Sequence, residues 1–115
     1  MQRKPRRNLE EIISALVEEL KRYNPERVIL FGSRAKGSFN KHSDIDLAVD
    51  LQLPFRERRK LKEKLDLIAG IYTVDLVFLP SAGEEFRKTI LKEGKVLYEK
   101  GRGFGEDRQV SKGFE

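Results

Sequence analysis

Gly32-Ser33, followed after ten intervening residues by Asp44-Ile45-Asp46, joins a turn able to grasp a phosphate to a pair of carboxylates able to hold metal. Gly32 lets the backbone turn tightly, and the amide and hydroxyl of Ser33 can then meet a phosphate oxygen. Arg34 and Lys36 add positive charge beside it; Arg34 reads as a phosphate ligand or as a helix-surface charge. Asp44 and Asp46 lie two apart, so in a strand both side chains leave the same face and converge on one cation cluster. A third acid, Asp75, stands alone in the apolar run Val74-Asp75-Leu76-Val77-Phe78, where a carboxylate without a partner is costly. Three carboxylates are a common way to hold two cations about 4 Å apart on a phosphoryl centre. Asp44 and Asp46 are expected to bridge both ions. Asp75 is expected to serve the ion that activates the nucleophile, with a second use as proton acceptor.

Each element has an ordinary alternative. A Gly-Ser pair is commonly a plain turn, an Asp-x-Asp is commonly solvated surface, and Asp75 could be a charge that protects a sheet edge. The order strand, Gly-Ser, ten residues, Asp-x-Asp and a later Asp is what carries the chemical reading, which points to nucleotidyl transfer. His42 is set aside as a loop residue, and Ser43 is taken to steady the strand entrance through nearby backbone.

The elements that must position these residues follow from periodicity. Asn8-Leu9-Glu10-Glu11 has the form of a capping box, and Leu9, Ile12, Ile13, Leu16, Val17 and Leu20 recur at helical spacing. That helix stops near Tyr23-Asn24-Pro25. Arg27 to Phe31 reads as a buried strand, and Ile45, Leu47 and Val49 point away from the aspartates into a core. Pro54 opens a charged helix with an apolar stripe of Leu61, Leu65 and Ile68, stopped by Gly70. Its basic run, interleaved with Glu57, Glu63 and Asp66, reads as a solvated face. Ile71 to Leu79 is expected as a strand, and Ser81-Ala82-Gly83-Glu84 repeats the capping pattern before a short helix with Phe86, Ile90 and Leu91 that ends at Gly94. Lys95 to Glu99 reads as an edge strand. The sum is an α+β (α/β) domain, a small mixed sheet with helices packed on one face.

The 115 residues suit one domain, too short for a fingers, palm and thumb assembly. The net charge of +5 resides mostly in residues 1–7, which carry four basic groups; residues 8–100 carry 17 basic against 16 acidic, and residues 101–115 three of each. The expected organisation is a basic arm over 1–7, the folded domain over 8–100 and a disordered tail over 101–115. A nearly neutral body disfavours nucleic acid as the partner. With no Cys and one His, thiolate zinc sites and cysteine nucleophiles are excluded, leaving Mg²⁺, for which Mn²⁺ can substitute, as the expected cation. The absence of a membrane-length apolar run and of a secretory leader makes the expected location cytoplasmic.

The segments Gly32-Ser33-Arg34-Ala35-Lys36-Gly37, Ser43-Asp44-Ile45-Asp46-Leu47-Ala48-Val49 and Val74-Asp75-Leu76-Val77 together resemble the minimal nucleotidyltransferases of the polymerase-beta-like superfamily. The likeness spans about residues 9–99, and no motif position departs from the pattern. It implies a nucleotidyltransferase-like fold, with a nucleotide triphosphate, expected to be ATP, bound through Gly32, Ser33 and two Mg²⁺ ions; Asp44, Asp46 and Asp75 are the acids expected to hold those ions, and Arg34 is the further candidate nucleotide ligand. It also implies AMP transfer to a hydroxyl acceptor. For small prokaryotic members it further implies a HEPN-domain toxin as partner, protected against by adenylylation of its tyrosine. Two alternatives stay open: a non-catalytic antitoxin that acts by binding, or a transferase acting on RNA ends or a small molecule, the latter through a homo-oligomer that completes the pocket.

Overall fold

The computed structural model describes residues 8–32, 35 and 44–101. The basic arm, residues 102–115 of the expected tail, and Ser33, Arg34, Lys36, His42 and Ser43 lie outside the described residues. The helix α1 spans Leu9–Lys21, and its capping box forms in full: the Asn8 side chain accepts from the Glu11 amide at 2.8 Å, and Glu11 accepts from the Asn8 amide at 3.1 Å. Two backbone amide N–H groups that the helix leaves without intrahelical partners are thereby satisfied at the N-terminus. Asn24, in the left-handed region at φ 60°, turns the chain toward β1 (Arg27–Phe31).

The sheet runs in the order β3-β2-β1-β4, where β2 is Ile45–Val49, β3 is Val74–Phe78 and β4 is Lys95–Glu99. β1 pairs antiparallel with both β2 and β4, while β2 and β3 are parallel, so the sheet is mixed as expected. Parallel strands need a crossover, and α2 (Phe55–Ala69) supplies it. β3 begins three residues later than the sequence predicts. Its register starts where Val74 meets Ile45, the first residue of β2; the Thr73 carbonyl accepts from the Ile45 amide at 2.8 Å, and Ile71 and Tyr72 turn the chain after Gly70.

Strand alternation sorts the side chains into two layers. Val28, Leu30, Ile45, Leu47, Val49, Val74 and Phe78 pack against Ile12, Leu16 and Leu20 of α1 and Leu61, Leu65 and Ala69 of α2. Each large aliphatic buried there contributes roughly 1.5–3 kcal/mol. The opposite face carries Ile29 and Ala48, which cluster with Leu79 and with Ile90 of α3 (Glu84–Glu93). The α+β architecture is therefore as expected, with α1 and α2 sharing one face, but α3 covers the other. Its single buried residue, Ile90, gave too little sequence signal to assign it a side.

The capping pattern at Ser81 is not realised. Gly83 is the N-cap of α3 and no side chain caps that helix, because the Ser81 hydroxyl accepts instead from Arg58 Nη2 at 2.9 Å. Arg58 also donates through Nε to the Leu53 carbonyl at 2.8 Å and lies 4.5 Å over the Phe78 ring, joining α2 to the end of β3. α3 stops at Gly94 as expected. A Cβ there would stand 2.6 Å from the Ile90 carbonyl oxygen and would collide with Ile29, so only glycine lets the chain pass from α3 into β4.

Candidate active site

Three strands bring Gly32, Asp46 and Asp75, of the predicted residues, to one end of the sheet. In the β1–β2 pair Phe31 is opposite Asp46, and in the β2–β3 pair Asp46 is opposite Asp75. Residues opposite one another share a face, so Phe31, Asp46 and Asp75 project on the side that carries α3, away from the main core. The neighbours of Asp46 in its strand, Ile45 and Leu47, are buried on the other side and fix this orientation. A slip of one residue would drive the carboxylate into the core, which the apolar pattern forbids.

Gly32 closes the site from the β1 side. Its φ is +76°, and a Cβ at this position would overlap Asp46 Oδ2 and lie 3.1 Å from Asp46 Cγ. The carboxylate thus rests against bare backbone at the end of β1. Asp46 is half-buried, whereas Asp44, one residue before β2, and Asp75, on the edge strand, are exposed. The expectation that Asp75 needs a cation to offset burial is therefore corrected. An edge position leaves its carboxylate hydrated, so desolvation does not demand a partner there.

The structure brings Asp46 next to Gly32 and into register with Asp75, and leaves Asp44 exposed at the approach to β2. Among the described residues no three acidic, histidine or cysteine side chains stand close enough to hold one metal ion together. The donors themselves are all carboxylate oxygens, the chemistry that suits a hard divalent cation such as Mg²⁺. One feature of this face escaped sequence reasoning. Phe86, in the first turn of α3, meets Phe31 edge to face with ring centroids 5.8 Å apart and planes at 82°. The aromatic residue immediately before Gly32 was the available signal, but its partner could only be found through the packing of α3.

Residues 10–102 match the family described as "Polymerase beta, Nucleotidyltransferase". The chain belongs to this family of nucleotidyltransferases. It is 34% identical over 96 residues to the protein adenylyltransferase MntA of Thermococcus cleftensis, covering 78% of this chain and 91% of that protein. It is also 40% identical over 72 residues to the "Probable protein adenylyltransferase MntA" of Haemophilus influenzae, a match covering 61% of this chain and 63% of the relative. Among solved structures it resembles a crystal structure of a toxin-antitoxin with AMP-PNP (TM-score 0.66, 32% identity), covering 82% of this chain and 76% of that one. A crystal structure of the toxin-antitoxin MntA-HepT is similar at TM-score 0.60 and 29% identity, covering 78% and 72%. No helix among the described residues is long and apolar enough to cross a membrane.

Proposed function

We propose that this protein is a Mg²⁺-dependent adenylyltransferase that moves AMP from ATP to a hydroxyl of a protein partner, most specifically a tyrosine of a HEPN toxin, and so acts as an antitoxin in the cytoplasm. The observation that carries the reading is the alignment of Gly32, Asp46 and Asp75 across three neighbouring strands. The relatives named as protein adenylyltransferases and the toxin-antitoxin complex with AMP-PNP support the nucleotide and the class of partner.

In this reading Gly32, with Ser33 and Arg34, receives the triphosphate, and Asp44, Asp46 and Asp75 would hold two divalent ions. When bound, such ions neutralise phosphate charge and lower the pKa of an acceptor hydroxyl. The acceptor oxygen forms a bond to the α-phosphorus while the bond to the bridging oxygen of the β-phosphate breaks, and pyrophosphate leaves. The acceptor proton passes to a carboxylate, for which Asp75 is placed at the exposed edge. That exposure also suits a bulky acceptor, since a strand edge admits another macromolecule where an enclosed pocket would not.

Incubating the chain with a co-purified HEPN partner, ATP and Mg²⁺ and weighing the partner tests this. A mass gain of one adenylyl group on a tyrosine, lost with Asp46→Asn, is expected. An unmodified partner that Asp46→Asn still silences would leave neutralisation by binding as the function.

A further inference from the structure

The Phe31–Phe86 pair lies on the same face as Asp46, yet the transfer chemistry just described makes no use of it. Phe31 is directly opposite Asp46 in the β1–β2 register, so its ring begins one strand spacing from the carboxylate. Phe86 stands edge-on against that ring and remains 47% exposed, although α3 buries Ile90 on the same sheet face. An aromatic side chain exposed to this extent, in contact with the residue opposite Asp46, is available to a planar ligand. Leu91 of α3 and Val96 of β4 are exposed to a similar degree, but of these three side chains it is Phe86 that contacts the residue opposite Asp46.

We infer that Phe86 is the platform on which the nucleobase of the bound nucleoside triphosphate stacks, with Phe31 fixing the ring's orientation. This rests on the triphosphate occupying the Gly32–Asp46 end of the site. Two rings at 82° form a corner whose one wall, Phe31, lies opposite Asp46 and whose other wall, Phe86, is part-exposed. A planar base packs on such a surface through stacking, which tolerates every base and favours the larger purines. The neighbouring cation in α3, Arg87, donates to the Leu79 carbonyl, consistent with readout by the π surface rather than by charge. The corner therefore gives affinity for a base with little discrimination by hydrogen bonding.

The test separates base from phosphate. Calorimetry with Mg²⁺ compares ATP with inorganic tripolyphosphate on the native chain and on Phe86→Leu, which keeps an apolar residue in α3. Phe86→Leu is expected to weaken ATP about tenfold and leave tripolyphosphate unchanged. Because the chain has no Trp, Phe86→Trp introduces a single indole. ATP should quench its fluorescence and tripolyphosphate should not. Native-like ATP binding by Phe86→Leu, equal weakening of both ligands, or an indole unmoved at saturating ATP would overturn the platform while leaving the phosphate site standing. A native chain that binds neither ligand would overturn the phosphate site and the platform with it.

Discussion

The carboxylate of Asp46 occupies the space that a side chain on Gly32 would need. Glycine at this position is therefore required twice, once for a backbone at φ +76° and once to leave room for the acid. Gly32→Ala is expected to lose roughly 1–2 kcal/mol of stability from the left-handed backbone alone. The displaced Asp46 should cost AMP transfer as well. Urea unfolding followed by a transfer assay measures both, and a fully active Ala variant would show that the close approach is dispensable.

Asp44→Asn and Asp46→Asn should each abolish transfer while the domain stays folded. Asp44 is exposed, and Asp46 projects from the face opposite the main core, so an isosteric amide disturbs no packing. Thermal melting within a few degrees of native, together with transfer reduced by at least about a hundredfold, is the expected result.

Asp75 should behave differently. If it serves the acceptor side, Asp75→Asn loses turnover but keeps much of the ATP affinity, which depends more on Gly32, Ser33 and the other two acids. As an exposed edge-strand residue it should change stability by less than about 0.5 kcal/mol. Calorimetry beside single-turnover kinetics decides the matter; loss of ATP binding as severe as in Asp46→Asn would refute the division of roles.

A chelator should abolish ATP binding, since the candidate ligands are oxygens and the triphosphate is highly charged. Restoration by Mg²⁺ or Mn²⁺ is expected. Equal affinity with and without divalent ions would remove the metal from the account.

Asn8→Ala tests the frame. It removes the side chain that accepts from the Glu11 amide and should cost about 1 kcal/mol without altering ATP affinity, because α1 packs on the face away from Asp46. Denaturant midpoints and calorimetry on the same sample provide the comparison.

Features set by local chemistry were legible in the sequence. The Asn8–Glu11 box, the α1 stripe, the apolar β1 run, and the stops at Gly70 and Gly94 all occur where the residue types place them. Features that depend on a distant partner were not. The Ser81 hydroxyl could have capped α3, but Arg58 from α2 takes it. Ile71 and Tyr72 have strand-like character, yet the β2–β3 register begins only at Val74, opposite the first residue of β2. For the site, the spacing of Gly32, Asp44, Asp46 and Asp75 identified the residues to examine. It could not reveal that Asp75 lies on an outer strand, because sheet order is decided by the crossover through α2 and by nothing within β3 itself.

That crossover also has a bearing on how the domain comes to life during synthesis. Gly32 and Asp46 meet through an antiparallel pairing of consecutive strands, whereas Asp75 reaches its place only after the whole of α2 has emerged and docked. Long-range parallel pairing is among the slow steps of folding. A nascent chain halted before β3 would already carry the glycine and the first acids, but would lack the proposed proton acceptor.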